Sequence, residues 1–332
     1  MPDTLTSPVA PPPDYNRTGV DYRRPMPRPK VRGTVYDFHS HLHALRHADA
    51  WFAAADHYGI DVFLTMCQLE EAMGLQRVWG NRLHFIAVPK WGEWEGNFVD
   101  RWLTRIEAFY NIGSRIVKFW FAPPAVGDRK WRFDSEQFRP LIEEARGRKM
   151  AIMTHVGDPE TWYRGKYADT GKYGTRDDHY RMWENVLADY RDLPWIGAHM
   201  AGNPEDLARV QRLLDRYPNL YLDCSATRWM VREISAHRDE ARDFFVRNQN
   251  RILFGTDQVS QDERGFDFLA SRLWCHRKLW ETAFIGQTPI FDPDFPEDRQ
   301  PTMRGLCLPD ECLQKMYHDN PEKVLRAVGT IA

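Results

Sequence analysis

Thr34-Val35-Tyr36-Asp37-Phe38-His39-Ser40-His41-Leu42 is a β-branched and aromatic run that closes on two histidines spaced by one residue. Residues of this kind favour an extended, buried strand. Side chains at i and i+2 of a strand share a face, so His39 and His41 project together. Working outward, seven more short apolar runs follow: Asp61–Cys67, His84–Val88, Arg115–Phe121, Met150–Val156, Trp195–Met200, Leu220–Cys224 and Ile252–Asp257. Each is bounded by polar or turn residues and followed by enough chain for a helix. Strands that alternate with helices imply βαβ units and a parallel sheet. Runs so continuously apolar belong to sheets buried on both faces. Eight such units in one domain-sized stretch predict an α/β fold closed as a (β/α)8 TIM barrel.

The helix signals agree. Ala48–Tyr58 stops at Gly59, and Phe98–Tyr110 repeats apolar residues at helical spacing before Gly113. Glu136–Arg146 stops at Gly147. Asn203-Pro204-Glu205-Asp206 reads as an N-cap, an N1 proline and an acidic first turn, opening a helix to about Tyr217. Pro309–Tyr317 and Pro321–Val328 read as two closing helices.

Three segments fall outside this alternation. Residues 1–32 hold Pro11, Pro12, Pro13, Pro25, Pro27 and Pro29 and predict an extended arm, disordered or strapped over a neighbouring surface, a partner subunit of a homo-oligomer included. The barrel then spans 33–332, with long polar insertions at 158–178 and 286–308. The first follows strand five, where loops overlie the barrel mouth and are usually functional.

With 332 residues and 42% hydrophobic content, the chain can bury a large core. A net charge of −2 without charge blocks gives no sign of nucleic-acid binding. No apolar run approaches the roughly 20 residues of a membrane span, and no apolar core of a secretory signal stands in the first thirty residues. Five cysteines without a CxxC pair fit a reducing compartment, so a cytoplasmic location is expected.

The chemistry-bearing residues recur at strand ends. His39 and His41 end strand one. His155 ends strand five in Met153-Thr154-His155-Val156-Gly157, His199 ends strand six in Ile196-Gly197-Ala198-His199-Met200, and Asp257 ends strand eight in Leu253-Phe254-Gly255-Thr256-Asp257. Alone, a histidine in such a run is usually a core residue and an aspartate usually a cap. Together they fall on the C-terminal rim, where barrels place catalytic groups. Imidazoles beside a carboxylate suit a divalent metal, zinc before the harder cations.

These motifs, DFHSH, THVGD, GAHMAG and LFGTDQ, resemble the amidohydrolase superfamily of metal-dependent hydrolase barrels. The nearer likeness is to its amidohydrolase-related branch, which includes aminocarboxymuconate-semialdehyde decarboxylase, benzoate-type decarboxylases and pyrone-dicarboxylate lactonase. Asp319-Asn320-Pro321-Glu322-Lys323 is similar to that branch's closing-helix motif. The resemblance runs from about Thr34 to Val328 and leaves out the arm. It implies that His39, His41 and His155 bind the metal and that Asp257 binds it weakly while taking a proton from water. His199 would orient the substrate oxygen or bind a second metal. Lys118, inside the apolar strand four, is either an ammonium paired with Asp257, a glutamate or the substrate, or the carboxylated bridge that binuclear members carry. One metal per chain is expected, two if Lys118 is carboxylated.

Weaker candidates are His43, as a substrate contact or an exposed histidine, Trp91 and Trp94 as pocket wall, and Arg228 as a clamp for a substrate carboxylate. Two reactions on a small molecule remain open. One is hydrolysis of an ester, lactone or amide by metal-activated water with Asp257 as proton shuttle. The other is non-oxidative decarboxylation of an aromatic or unsaturated acid. A purely structural zinc is disfavoured, because such sites are closed and rich in thiolates.

Overall fold

A computed structural model describes residues 13–331. All eight expected strands form: β1 (Tyr36–His41), β2 (Val62–Thr65), β3 (Leu83–Ala87), β4 (Ile116–Trp120), β5 (Ala151–His155), β6 (Trp195–Gly197), β7 (Leu220–Asp223) and β8 (Ile252–Leu253). Each pairs in parallel with the next. A short ninth strand, β9 (Gln258–Val259), pairs in parallel with β1 through Ser40↔Gln258 and His41↔Val259.

β8 and β9 are two halves of one interrupted strand. Phe38 N donates to Phe254 O at 2.7 Å and Asp257 N to His39 O at 2.7 Å, so this strand closes the barrel onto β1. The break holds Asp257 at φ 53, a left-handed conformation uncommon for a residue with a Cβ. Asp37 sets it: its Oδ1 accepts from Thr256 N and its Oδ2 from Thr256 Oγ1. The eighth strand is thus shorter than its apolar run.

Phe63, Ile86, Val117, Ile152, Ile196 and Leu222 on successive strands are fully buried. Helices cover the outside and side chains fill the inside, which is why the runs carry no alternation. Burying each such side chain contributes about 1.5–3 kcal/mol.

Helices Ala48–Tyr58 and Phe98–Asn111 form where expected, the first ending at Gly59 with φ 71. Two others start late. The helix expected from Asn203 begins at Leu207, because the Asp206 side chain accepts from Arg209 N and takes over as N-cap, while Asn203 is fully buried. The helix expected from Glu136 begins at Arg139, with Pro140 in its first turn. The two closing helices are one run, Asp310–Gln314 and Asn320–Ala327 joined by a π turn at Lys315–Asp319.

The insertions carry structure of their own. Within 158–178 lie two helical turns, Glu160–Arg164 and Thr170–Tyr173, and Thr175 with Asp178 forms a capping box for the helix Arg176–Asp189. The second insertion is pinned by a hairpin of β10 (Ile285–Gln287) and β11 (Thr302–Arg304). Trp162 Nε1 donates to Asp294 Oδ2 at 2.7 Å and ties the two insertions together.

Residues 1–12 of the proline-rich arm lie outside the described residues. From Pro13 on, the arm lies against its own chain. Arg17 N donates to Pro289 O, Phe291 N to Asp14 O, and Tyr58 Oη to the carbonyl of the buried Tyr22. All five cysteines are free, four of them buried. Among the described residues no helix is long and apolar enough to cross a membrane.

Candidate functional site

β1 delivers its two histidines to the C-terminal rim, and the break after β8 brings Asp257 against them. Asp257 Oδ1 lies 3.4 Å from His39 Nε2 and 3.1 Å from His41 Nε2. The three ligand atoms lie within 4.8 Å of one another. Two imidazole nitrogens and one carboxylate oxygen, with a side left open to a cavity, fit the donor set of a catalytic divalent ion.

The surroundings prepare His39 for that role. Its Nδ1 lies 2.8 Å from Asp223 Oδ2, both side chains being buried. A carboxylate on Nδ1 fixes the proton there and leaves the Nε2 lone pair for an ion. Burial pushes the His39 imidazolium down and Lys118 adds to it, against the pull of Asp223 and Asp257. Asp223 also accepts from His199 N at 2.9 Å and from Ser225 N and Oγ. His39, His199 and Asp223 also form a close group, yet Asp223 reaches it through His39 Nδ1 and the His199 backbone. That makes it an orienting set. The sequence does not single out Asp223 and Ser225, because an aspartate at the end of an apolar run is indistinguishable from a cap.

Gly255 allows the interrupted strand to pass this close. A Cβ there would meet His39 Cβ at 3.0 Å and Ser225 Cβ at 3.2 Å. The chain after β6 is tighter still. His199, Met200 and Ala201 all have φ between 55 and 59, and Gly202 follows at 67. Left-handed non-glycine residues are costly, and three in a row require support from outside the segment. It comes from Asp223 on His199 N and from Tyr180 Oη, which donates to Ala201 O. Strand six therefore ends at Gly197, and His199 stands in this turn, its ring stacked at 4.8 Å on His39. Its Nδ1 lies 2.8 Å from Ser225 Oγ.

The structure gathers three of the four expected donors. His155 stands apart: Asp158, three residues further on, holds its Nε2 at 3.0 Å, while the ring lies edge-on to His199 at 4.8 Å. Lys118 Nζ is 3.3 Å from His39 Nε2. Burial pushes its ammonium down to about 8, against the pull of Asp223 and Asp257. Burial also opposes ionisation of Asp257, but His199, His39 and His41 outweigh it and hold the carboxyl well below the usual range.

These groups open into a cavity of ≈ 910 Å³, which His43, Trp91, Trp94 and Arg228 also line. His43 is half-buried, its Nε2 has no partner among the described residues, and its ring packs edge-on to Trp91 at 4.9 Å. Arg228 is exposed. Asp158, Trp162, Lys166 and Tyr167 of the first insertion and Asp292–Asp294 of the second complete the mouth.

A family model described as Amidohydrolase matches residues 80–327. No curated protein sequence gives a match. Among solved structures, an uncharacterized TIM-barrel protein of Bordetella bronchiseptica is similar at 14% identity and a TM-score of 0.57, covering 90% of this chain and 100% of its own. A protein described as a probable 2-pyrone-4,6-dicarboxylic acid hydrolase, from Acinetobacter baumannii, is similar at 9% identity and 0.53, covering 90% and 100%. A 2,6-dihydroxybenzoate decarboxylase from Rhizobium is similar at 14% identity and 0.50, covering 89% and 99%. At such identities the likeness is one of barrel fold.

Proposed function

This chain belongs to the amidohydrolase family, and from that premise we propose that it is a metal-dependent hydrolase of an ester, lactone or amide. The observation that carries the reading is the convergence of His39 Nε2, His41 Nε2 and Asp257 Oδ1 at the cavity floor. These three residues hold the ion, with His155 as the proposed further donor. Two nitrogens and a carboxylate oxygen around an open position favour zinc. The bound ion supplies Lewis acidity, polarising a substrate carbonyl and lowering the pKa of water toward about 7.

The chain's own groups do the rest. Asp257, ionised at neutral pH, accepts a proton from the attacking water and returns it to the leaving oxygen or nitrogen as the acyl bond breaks. His199, held by Ser225 at Nδ1, presents its other nitrogen to the oxygen on which charge develops. Asp223 keeps His39 in the tautomer that offers Nε2. Lys118 beside His39 Nε2 would donate to the substrate or, as a carbamate, help to hold a second ion.

Decarboxylation of an aromatic or unsaturated acid is the second reading. Among the described residues six Lys or Arg against four Asp line the cavity, an excess that suits a carboxylate substrate. Purified protein of measured metal content, assayed on lactones and on aromatic acids with carbon dioxide trapping, separates the two. Hydrolysis that a chelator abolishes and zinc restores is the expected result. Carbon dioxide release without hydrolysis would select the second reading, and turnover indifferent to chelation would end both.

A further inference from the structure

The cavity has two unlike sides. In an eight-stranded barrel β3 and β4 lie across from β7 and the β8–β9 strand. The former side carries indoles, Trp91 and Trp94 after β3, Trp120 on β4 and Trp131 beyond it, with the Arg129 guanidinium over the Trp94, Trp120 and Trp131 rings at 4.3, 5.4 and 5.1 Å. The latter side carries Arg228 after β7, and Gln258, Arg264 and Arg272 in and after β9.

Three guanidiniums on one side attract an anion. Among the described residues, none of Arg228, Arg264 and Arg272 forms an ion pair, whereas the cavity's Asp292 and Asp294 are both taken by Arg232. Arg264 donates to Val259 O and Arg272 to Ser271 Oγ, which are neutral acceptors. Both lie over the single Phe268 ring, at 4.5 and 3.6 Å, and one phenyl face is a weak partner for two cations. Burial pushes the Arg272 guanidinium down to about 9, and Arg228 and Arg264 add to it. Gln258 is an independent sign. The residue is 2% exposed, lines the same cavity, and leaves both amide atoms without a partner among the described residues. Buried amides without partners are costly, and a ligand oxygen would accept from this one's Nε2, leaving Oε1 for a donor.

We propose that Arg228, Arg264, Arg272 and Gln258 form an oxyanion subsite, off the metal cluster, for a carboxylate or phosphate on a substrate whose flat apolar body lies against the indoles. The anion anchors the molecule and leaves its reacting bond to the floor. This rests on the reading of the cavity as the active site, and it adds that the substrate's charge is bound on the β7–β9 side.

Calorimetric titration of the purified, metal-analysed protein with benzoate, phenyl phosphate and benzamide tests it. At least one anion should bind about tenfold or more tighter than benzamide, and which one does so identifies the oxyanion. Arg272→Gln should weaken that anion about tenfold, the loss of one charge-assisted hydrogen bond, and leave benzamide within about twofold. Arg272→Lys should recover part of the loss. Arg228→Gln, at an exposed position, gives the same readout should Arg272→Gln fail to fold. The anion preference and its arginine dependence should survive chelation. Anion binding that vanishes on chelation and ignores both glutamine variants would overturn the subsite and leave the metal reading standing. Arginine-dependent binding in a protein whose turnover ignores chelators would sink the metal reading alone. Equal affinity for benzamide and both anions would overturn the subsite outright.

Discussion

Asp223 is the residue on which the proposed metal site turns, although it need not touch an ion. Its carboxylate holds the proton on His39 Nδ1 and accepts from the His199 backbone inside a left-handed turn. An amide at this position can offer its N–H to Nδ1 and favour the wrong tautomer. Asp223→Asn is therefore expected to lower zinc affinity about 10–100-fold. Competition against a chromophoric chelator measures it, with circular dichroism confirming the fold; unchanged affinity would remove Asp223 from the site. The same residue marks how far the sequence could be read. The meeting of His39, His41 and Asp257 was legible because three ligating groups fell on strand ends, and a closed barrel leaves strand ends one place to meet. Asp223 was illegible because one aspartate after an apolar run has no partner in sequence. The position of His155 was legible but its hydrogen bond to Asp158 was not, since strand periodicity places a side chain without naming its partner.

Among elements, the helix Phe266–Glu281 makes the clearest prediction. Its fully buried His276 receives a hydrogen bond from Trp280 Nε1 on Nδ1 and contacts Thr227 Oγ1 through Nε2. The ring is thus neutral, with its proton on Nε2, and a second proton would face the Trp280 N–H. Burial accordingly pushes its pKa down to about 3. The unfolded chain binds the proton near pH 6.5 and the folded chain does not, so this group's full contribution to stability is present above that value. It is lost as pH falls from about 6.5 toward about 3, by a few kcal/mol in all. Urea midpoints between pH 7 and 4 should fall less steeply for His276→Gln than for the parent, and parallel slopes would show that His276 protonates without cost. The elements also show what periodicity misses. Strand eight reads as one run, but Asp37 captures Thr256 and breaks it. The expected cap at Asn203 gives way to Asp206, because Asn203 is buried. In each case a tertiary contact overrules the local signal.

At the scale of the whole molecule, the proline-rich arm is tied to the parts that build the arginine side of the cavity. Asp14 and Arg17 bond to Phe291 and Pro289 in the second insertion. Tyr15 packs edge-on to Phe268, the ring beneath Arg264 and Arg272. Tyr22 is the buried centre of this contact: its Oη donates to Tyr15 O, its carbonyl accepts from Tyr58 Oη, and its ring meets Trp274 edge-on at 6.3 Å. An arm that braces the barrel loses a core aromatic when Tyr22 is truncated, so Tyr22→Ala is expected to cost about 3 kcal/mol. The loss should appear as a lower denaturant midpoint with an unchanged slope, because the same surface is exposed on unfolding. Tyr22→Phe keeps the ring and removes only the bond to Tyr15 O, so it should cost about 1 kcal/mol. A loss below about 0.5 kcal/mol for Tyr22→Ala, the range of an ordinary surface change, would mean that the arm rests on the barrel without bracing it.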